Sequence, residues 1–459
     1  MSEPIDKLKT SALSRRLSIA KTSLNIGKNI AKHSVTSLFV SSSERQAQKQ
    51  AMMTEQAQYL AQELGKLKGS VVKIGQMLAL YGEGMLPKEI VSALHTLDAQ
   101  TTQLSFGAIH QAIYQQLGDK INDFDIDPAP IGTASLAQVH QATLKSTGQQ
   151  VVLKVQYPDV AKAIDSDLSL FKHLLKVTNA VPQTRILDAW FEEIRALLHT
   201  EVDYHLEAAT TERFFERLAT DLRYVVPKIY PDYSTKHLLC MSFEAGIKLT
   251  DPILSTLSQD RRNALGQMAM DIVMRELFDW AEMQTDPNFG NYLVRLGDKE
   301  SGQEDKLVLL DFGAIKRFDD TLIHIAQNLL SAGYHQDKAL MQSAMTGYDF
   351  FYTMSDKVKA DVADVFLLAS EPFANPAILS KNPIGKAYLD TNGRYHWAGS
   401  DLYNRAMSSA KERIQSREFT LPPKEMMFIS RKFIGAYALL CALDARTDAE
   451  LLVKPFLSA

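Results

Sequence analysis

Three short segments of the chain contain residue types that could bind a nucleotide and a metal ion. They are the apolar run 151–155 around Lys154, the segment 283–291 with Asp286 and Asn291, and the triplet Asp311-Phe312-Gly313 after an apolar run. A lysine on a strand can hold phosphate groups, and paired Asp and Asn side chains can position a nucleophile and magnesium. Together these segments predict a site for ATP and Mg2+.

Lys154 needs a nearby acid if it is to be held among apolar neighbours. Glu201, Asp203 and Glu207 are the candidates, and Glu207 is our choice because it begins a smooth helical run. Asp203 and Glu207 would share one helix face, since they are four residues apart, whereas Glu201 would point elsewhere. The alternatives are an edge-strand lysine that opposes aggregation and an acidic face in solvent.

Asp286 and Asn291 have the spacing of a kinase catalytic loop, with the Asn five positions after the Asp. Asp286 could orient or deprotonate a nucleophile, while Asn291 and Asp311 could bind magnesium. Pro287 and Gly290 disfavour a helix across this segment. An Asp-Phe-Gly triplet alone could be an ordinary turn after a strand, but the two segments in kinase order are much more specific.

Two features of protein kinases are missing from the sequence. No GxGxxG precedes Lys154, and the corresponding turn is predicted at Gly132-Thr133-Ala134-Ser135. No Ala-Pro-Glu follows Gly313, and a helical pattern begins almost at once. Because protein kinases dock peptides on that missing segment, its absence argues against phosphorylation of ordinary protein substrates.

The pattern of residues predicts an α+β fold with a helical N-terminal extension, a small β-rich lobe and a larger helical lobe. The boundaries are predicted as a basic arm at 1–50, a helical extension at 51–120, an N-lobe with a helical insertion at 121–246, and a helical C-lobe at 247–459. Within these segments we predict a turn at 125–130 and strands at 131–144, 151–155, 224–226 and 237–243. We also predict a helical run at 159–218 that is broken at Val181-Pro182, and a hinge at Glu244-Ala245-Gly246.

Composition limits the classes of function. With 459 residues, 46% hydrophobic content and a net charge of -4, the chain resembles an ordinary soluble protein and gives no reason to expect nucleic acid as a partner. Cys240 and Cys441 lie in apolar runs and are predicted to be core thiols in a reducing compartment. The sequence shows no signal peptide, and the apolar run 433–443 is too short to span a bilayer, so we expect a buried helix there.

The first 50 residues are basic, with nine Lys or Arg and three acids interleaved with apolar residues. This pattern is typical of an amphipathic segment on an anionic membrane. The alternative is an arm exposed to solvent, and a transit peptide is less expected because Glu3 and Asp6 are acidic.

From about residue 55 to its end the chain resembles the UbiB family of atypical kinase-like proteins. The motifs that carry the resemblance are Lys73-Ile74-Gly75-Gln76, the alanine-containing loop Pro130–His140, Glu201-Val202-Asp203 and Met283-Gln284-Thr285-Asp286-Pro287-Asn288. The last is similar to the mitochondrial-type branch, which is linked to coenzyme Q biosynthesis. In this family the alanine-rich loop is thought to disfavour ATP binding. Gly132-Thr133 replace two of its alanines, which puts this effect on ATP binding in doubt for the present chain.

The resemblance implies a protein-kinase-like fold whose KxGQ helices pack over the active site, with Lys73 reaching Glu201 and the phosphates. It implies catalytic roles for Asp286, Lys154 and Glu207, and a regulatory set of Lys73, Gln76, Glu201 and Asp203. The ATP-binding set it implies is Gly132, Thr133, Ala134, Ser135, Lys154 and Glu244, and the magnesium ligands are Asn291 and Asp311.

The function implied by this resemblance is an ATPase or atypical kinase that supports ubiquinone biosynthesis. Its expected partners are the nucleotide, membrane lipid or quinone intermediates and ubiquinone-biosynthesis proteins, with a homodimer left open. The expected location is cytoplasmic at the inner face of a membrane, with the mitochondrial matrix as the alternative. The competing functions are a protein kinase acting on proteins and a non-catalytic, nucleotide-gated lipid-binding scaffold.

Overall fold

The computed structural model describes residues 50–51, 54–55, 57–58, 61, 69–81, 88–96, 103–177, 185–286, 288–298, 302–352, 354–413 and 423–457. The chain forms two compact units: residues 1–212 with 228–243, and residues 213–227 with 244–459. The predicted basic arm lies outside the described residues except for Gln50, and so does the predicted break at Val181-Pro182. The division of the chain into four segments stays a prediction.

The elements up to the middle of the chain mix helices with strands. In chain order they are α1 (Ser70–Tyr81), α2 (Lys88–His95), α3 (Phe106–Leu117), β1 (Phe124–Thr133), β2 (Ala137–Leu144), β3 (Gln149–Gln156), α4 (Val160–Val177), α5 (Arg185–Glu201), α6 (Tyr204–Leu218), β4 (Tyr224–Val225) and β5 (Leu238–Ser242).

The later elements are mostly helical. In chain order they are β6 (Ile247–Lys248), α7 (Gln259–Phe278), β7 (Glu282–Gln284), β8 (Tyr292–Arg295), β9 (Lys306–Leu309), β10 (Ile315–Arg317), α8 (Asp320–His335), α9 (Lys338–Met345), α10 (Asp356–Ala369), α11 (Pro376–Leu379), α12 (Pro383–Lys386), β11 (Tyr395–His396), α13 (Trp397–Ser400), α14 (Leu402–Arg413), α15 (Lys424–Ala442), β12 (Arg446–Thr447) and α16 (Ala449–Val453). The α+β class predicted from the sequence is confirmed.

The first unit contains an antiparallel sheet in the order β1-β2-β3-β5. Its central strand β3 is rich in β-branched residues, which favour a pleated and buried position. One face carries an apolar cluster of Ala137, Val152, Tyr204, Ile229, Leu239 and Met241. Because side chains alternate along a strand, Lys154 leaves β3 on the same face as Val152. The first turn of α6, which supplies Tyr204, therefore packs where a partner for Lys154 is needed.

The segment 125–130 was predicted as a turn, and this prediction was wrong. It lies inside β1, which pairs with β2 through register shifts between Ile126 and Pro130 and between Pro130 and Gly132. Proline lacks the N–H that a central strand must donate, but an edge strand with bulges tolerates it. The edge position of β1, which local turn propensity cannot reveal, explains the difference.

The predicted helical run 159–218 contains an additional break that the sequence analysis missed. Helix α5 ends at Glu201 and α6 begins at Tyr204. The Asp203 carboxylate accepts a hydrogen bond of 3.1 Å from the backbone N–H of His205, as a residue that starts a helix commonly does. Glu201 and Glu207 therefore belong to different helices.

The second unit contains a four-stranded sheet in the order β4-β9-β8-β6 and the two-stranded pairs β7–β10 and β11–β12. Strand β4 is parallel to β9, so the strand predicted at 224–226 belongs to this unit rather than to the first sheet. A cluster of buried residues from α8 to α10 forms a separate apolar core: Ala332, Met341, Met345, Phe351, Met354, Val358, Val362 and Ala363.

The segment 433–443 was predicted to be a buried helix and is instead the end of the half-buried helix α15. Leu440 is fully buried there, whereas Ile434 is 48% exposed. Cys441, predicted as a core thiol, is only partly buried, while Cys240 is buried as expected. Among the described residues no helix combines the length and the apolar character needed to cross a membrane.

Two helical glycines provide a matched test of packing. A Cβ on Gly266 of α7 would lie 2.4 Å from the Cβ of Ala445, whereas a Cβ on Gly107 of α3 would have no atom within 4 Å. Gly266→Ala should therefore destabilise the second unit by about 1–3 kcal/mol through overpacking. Gly107→Ala should stabilise the first unit by about 0.5–1 kcal/mol. Calorimetric unfolding of both variants tests the packing of α7, and equal melting temperatures would contradict it.

Candidate active site

Lys154 lies in the interior of the first sheet, where β3 places it opposite Val139 of β2 and Leu239 of β5. Its Nζ lies 2.6 Å from Glu207 Oε1, and the two side chains are 15% and 3% exposed. The ion pair predicted from the sequence is therefore confirmed. A carboxylate this deeply buried requires a cation, and Lys154 supplies it.

Helix α6 brings Glu207 to Lys154 through the packing of Tyr204. Tyr204 and Glu207 are three residues apart and thus share one side of the helix. The Tyr204 ring is part of the apolar cluster on the sheet, and its centre lies 5.3 Å from Lys154 Nζ. Apolar packing therefore sets the position of the helix, and the ion pair follows from it.

Gln156 fixes the corner between α5 and α6, which is formed by Glu201, Val202 and Asp203. Its Nε2 donates a hydrogen bond of 2.6 Å to the backbone oxygen of Val202. Its Oε1 lies 2.9 Å from His237 Nδ1, and burial lowers the pKa of His237. Because Gln156 is two residues after Lys154 on β3, one strand positions both the lysine and the Glu201–Asp203 corner.

The KxGQ helix α1 reaches the same corner through Lys73. Lys73 Nζ lies 2.7 Å from Glu201 Oε1. At the beginning of α1 the buried Ser70 hydroxyl donates to the carboxylate of Asp167 on α4. Gln76 lies three residues after Lys73 in the same helix and is partly buried. The contact between Lys73 and Glu201 that the resemblance implied is present, while a position of these helices over the active site stays a prediction.

Asp203, the other acid of the corner, has a local structural contact. Besides capping α6, its carboxylate lies 3.6 Å from Lys236 Nζ, and this lysine is more than half exposed. The backbone N–H of Tyr204 donates to the oxygen of Lys236 at 3.1 Å. Within the first unit Asp203 thus helps to begin α6, and its regulatory role stays a prediction.

The turn between β1 and β2 is shifted from its predicted position. Gly132 and Thr133 are paired residues of β1, opposite Val139 and Gln138. The turn itself is formed by residues 134–136 and is closed by a hydrogen bond of 2.8 Å from Ala134 N–H to Ala137 O. The bulge before Gly132 adds one residue to β1 relative to β2. The turn therefore lies later in the chain than the sequence pattern predicted.

Gln138 and His140, which follow this turn, have a structural role. Gln138 is fully buried; its Oε1 accepts from the backbone N–H of Leu104 at 2.9 Å, and its Nε2 lies 3.0 Å from His140 Nε2. Burial lowers the pKa of His140, so the ring is neutral near pH 7. This pair ties the segment before α3 to the sheet.

Glu244 is the first residue of the predicted hinge and begins the segment 244–459 of the second unit. Its Oε2 is 2.6 Å from a guanidinium nitrogen of Arg295 on β8. A Cβ on Gly246 would lie 2.8 Å from the Cβ of Leu293, so glycine allows the chain to run close against β8. The carboxylate of Glu244 is thus engaged in an ion pair, and its part in ATP binding stays a prediction.

The loop that carries Asp286 and Asn291 is held by its own hydrogen bonds. The Asp286 carboxylate accepts from Asn288 N–H at 3.3 Å, and Asn288 Oδ1 accepts from Gly290 N–H at 2.9 Å. Asn291 Nδ2 donates to the backbone oxygen of Asp286 at 3.2 Å. The amide nitrogen of Asn291 therefore faces the loop, and its Oδ1 is the atom suited to bind a cation.

Strand register brings this loop beside the Asp-Phe-Gly triplet within the second unit. Tyr292 pairs with Leu309, and the oxygen of Asn291 accepts from Leu310 N–H at 2.9 Å. Asn291 therefore directly precedes β8 at the end of the strand pair where Asp311 follows β9. On the opposite side, Thr285 N–H donates to Ala314 O at 2.8 Å.

The Asp-Phe-Gly triplet is fixed by its turn and its aromatic ring. Asp311 Oδ1 accepts from Gly313 N–H at 2.8 Å. The buried Phe312 ring packs 4.6 Å, centre to centre, from Phe214, which itself contacts Trp280. This packing restrains the direction in which the Asp311 carboxylate leaves the strand.

The donor set of this loop pair fits Mg2+. Magnesium is commonly bound by one or two carboxylates together with nucleotide phosphates and water. Asp311 offers a carboxylate and Asn291 an amide oxygen. In the described part of the chain no group of three or more His, Cys, Asp or Glu side chains is arranged to hold a metal ion.

Glu282, just upstream, is a buried acid that the sequence analysis missed. Its carboxylate lies 2.6 Å from Arg213, 2.8 Å from Arg217 and 3.2 Å from Arg317. Arg213 and Arg217 belong to the end of α6, and Arg317 follows the Asp-Phe-Gly turn on β10. No local sequence signal marks this cluster, because its members are far apart along the chain.

Glu282 is expected to stabilise the second unit in a pH-dependent way. Burial opposes its ionisation, but hydrogen bonds from three guanidinium groups lower its pKa below the usual value. Since the folded pKa is lowered, the stabilisation is complete above the unfolded pKa of about 4.3. It is lost as the pH falls through the lower, folded pKa.

Glu282→Gln should lower the free energy of unfolding at pH 7 by about 1–3 kcal/mol, because the three arginines lose their counter-charge. Urea unfolding at pH 7 and at pH 3 measures this. The exposed Glu412→Gln on α14 is the matched control. Equal losses of stability on acidification in both variants would contradict the assignment.

The sequence is similar to a known domain family and to several named proteins. The ABC1 atypical kinase-like domain matches residues 96–345. The chain is 29% identical over 399 residues to the Saccharomyces cerevisiae protein "Atypical kinase COQ8, mitochondrial", covering 86% of this chain and 75% of the relative. It is 28% identical to the Caenorhabditis elegans "Atypical kinase coq-8, mitochondrial", covering 83% of this chain and 48% of that protein.

Two further proteins are similar over most of this chain. The Dictyostelium discoideum "Probable serine/threonine-protein kinase abkA" is 26% identical and covers 87% of this chain, with 70% of its own length matched. The solved structure of Rv3197 with erythromycin from Mycobacterium tuberculosis has a TM-score of 0.56 at 21% identity, covering 91% of this chain and 98% of that one. The predicted kinase-like fold is confirmed. Since the matched domain spans more than half of its residues, the chain belongs to the ABC1 family of atypical kinase-like enzymes.

Proposed function

We propose that this chain binds Mg-ATP and uses it, as an ATPase or atypical kinase, in support of ubiquinone biosynthesis. The observation that carries the nucleotide-binding part is the ion pair between Lys154 and the buried Glu207, 2.6 Å apart. A strand lysine held by an acid on a later helix is how kinases present an ammonium to the α- and β-phosphates.

The remaining residues supply the other parts of phosphoryl transfer. Asp286 orients the attacking hydroxyl or water and accepts its proton. Asp311 and Asn291 would hold Mg2+, which when bound would supply positive charge beside the phosphates. The loop geometry supports these roles, because the β8–β9 register puts Asn291 and Asp311 at neighbouring strand ends.

The pathway is proposed from the relatives and from the sequence resemblance. Proteins named COQ8 match most of the chain, and the UbiB branch with a similar Asp286 motif is linked to coenzyme Q. The proposed partners are membrane lipid or quinone intermediates and ubiquinone-biosynthesis proteins, with a homodimer left open. The basic arm at 1–50 would attach the protein to an anionic membrane surface, either the cytoplasmic face or that of the mitochondrial matrix.

A second candidate function is phosphorylation of proteins, favoured by the name of the Dictyostelium relative. The segment after the Asp-Phe-Gly triplet argues against it. Residues 314–319 contain β10, which pairs with β7, and α8 follows directly at Asp320. This short segment is already used in the fold, which leaves little chain for docking a peptide.

Asp311→Asn tests the proposed function. The variant should keep its fold, because Asn retains an oxygen that can accept from Gly313 N–H. Phosphate release from Mg-ATP should fall by about 100-fold or more, since the amide is a poor magnesium ligand compared with the carboxylate. Release is measured with and without anionic liposomes, and a peptide library is assayed in parallel.

Asp356→Asn, an exposed acid at the beginning of α10, is the control and should behave as wild type. Retained turnover in Asp311→Asn would contradict the proposed magnesium site. Rapid peptide phosphorylation by the wild-type protein would favour the protein-kinase candidate instead. ATP binding without phosphate release under every condition would favour a non-catalytic, nucleotide-gated lipid-binding scaffold.

Gly132→Ala tests the departure from the alanine-rich loop. Its Cβ would lie 3.8 Å from Val139 Cβ, an ordinary contact, so the variant should melt at the wild-type temperature. If the alanine restores the weak ATP binding expected of the family's alanine-rich loop, ATP affinity should fall relative to ADP affinity. Calorimetric titration measures both affinities. Gly107→Ala on α3 is the control, and an unchanged ratio of affinities would show that Gly132 does not set it.

A further inference from the structure

A charged pair is buried in the second unit beside the predicted catalytic loop. Lys432 on α15 and Glu276 on α7 are 2% and 3% exposed, and Lys432 Nζ lies 2.9 Å from Glu276 Oε2. Neither belongs to a motif that the sequence analysis recognised. The proposed mechanism does not use them.

The pair contacts both ends of the loop that carries Asp286 and Asn291. Lys432 Nζ donates to the hydroxyl of Tyr292 at 3.0 Å, and Tyr292 directly follows Asn291. A hydrogen bond from the backbone of Gln284, two residues before Asp286, acts to lower the pKa of Glu276, while burial, the larger cause, raises it above its usual value. One ion pair thus joins the residue before the loop to the residue after it.

Stability alone does not account for such a pair. Removing two charges from water costs several kcal/mol per ion, and apolar residues of similar volume are often equally stable or more stable. Burial by itself would lower the pKa of Lys432, but the Glu276 carboxylate and the Tyr292 hydroxyl raise it above its usual value, so the ammonium stays charged. The charge is therefore retained at an energetic cost.

Apolar packing beside the pair is incomplete. A cavity of about 20 Å³ is lined by Phe289 of the loop, Tyr292, Lys432 and small or apolar residues of α7 and α15. Such a cavity has room for about one water molecule. The loop is therefore not fixed by close packing on this side, and the polar contacts have the larger part in holding it.

We propose that Lys432 and Glu276 form a positioning pair that sets the separation of Asp286 and Asn291. This inference rests on the proposed function, because those two residues are the nucleophile-orienting acid and a magnesium ligand. The pair acts through Tyr292 and the Gln284 backbone and does not itself touch the nucleotide. Loss of the pair would let the loop relax while the rest of the unit stays folded.

The test uses the full chain with Glu276→Leu and Lys432→Met together, which removes both charges and keeps the volume. A milder variant, Tyr292→Phe, removes only the hydroxyl that Lys432 contacts. The matched control is Glu371→Leu with Arg405→Met, because Glu371 and Arg405 form a mostly buried pair at 2.8 Å that contacts Tyr395 and, among the described residues, none of the loop.

Three quantities are measured for each variant: the melting temperature, amide hydrogen exchange in residues 285–293, and phosphate release from Mg-ATP. We expect the first double variant to melt near the wild-type temperature and to exchange faster in the loop. Its turnover should fall roughly 10- to 100-fold, as small misplacements of catalytic groups commonly cause. Tyr292→Phe should show the same changes to a smaller extent, and the control pair should leave loop exchange unchanged.

Wild-type loop exchange in the first double variant and in Tyr292→Phe would overturn the proposal. Faster exchange throughout the unit, without excess in the loop, would also overturn it, because the pair would then be merely structural. If the double variant does not fold, loop exchange in Tyr292→Phe decides. Faster loop exchange while even the wild type releases no phosphate would support the positioning pair and contradict the proposed function, so the two failures are distinct.

Discussion

The first unit depends on a buried carboxylate that must be neutralised. Glu207 is 3% exposed, and a charge at that depth is tolerated only beside a cation with good geometry. Lys154 provides it from the centre of the sheet, and Tyr204 sets the distance by packing on the same face. The sheet, the start of α6 and the charge pair therefore constrain one another. None could shift by much without exposing the Glu207 carboxylate or separating it from Lys154.

In the second unit, strand register has the corresponding effect. Antiparallel strands place residues opposite one another with little freedom, so the pairing of Tyr292 with Leu309 determines where Asn291 and Asp311 lie. A slip of one residue would turn Asp311 to the other face. Packing of Phe312 on Phe214 opposes such a slip, because the ring fills a buried site.

The parts of the site that the sequence predicted are those encoded locally. Lys154 in an apolar strand, Glu207 in a helical run and the Asp286–Asn291 spacing are short-range patterns, and the strands around them are confirmed. The break at Val202 was missed because it depends on Gln156, which is 46 residues away along the chain. The prolines at 125–130 suggested a turn because the edge position of β1 is a property of the whole sheet. The site roles themselves stay predictions until turnover is measured.

Buried glutamates show most clearly where sequence reasoning ends. Glu207, Glu276, Glu282 and Glu371 are all buried, yet in the sequence each looks like an acid on the polar face of a helix or strand. Only the partner of Glu207 could be inferred from the sequence, because Lys154 belongs to a motif. The partners of the others come from distant segments, such as Lys432 for Glu276 and Arg213 for Glu282. Glu276 on α7 and Glu282 on β7 both precede the predicted catalytic loop along the chain. A buried charge is costly wherever it occurs, so the Lys432–Glu276 pair beside this loop fits a requirement for fixed geometry better than a requirement for stability, whereas Glu282 is expected to stabilise the unit through its three arginines.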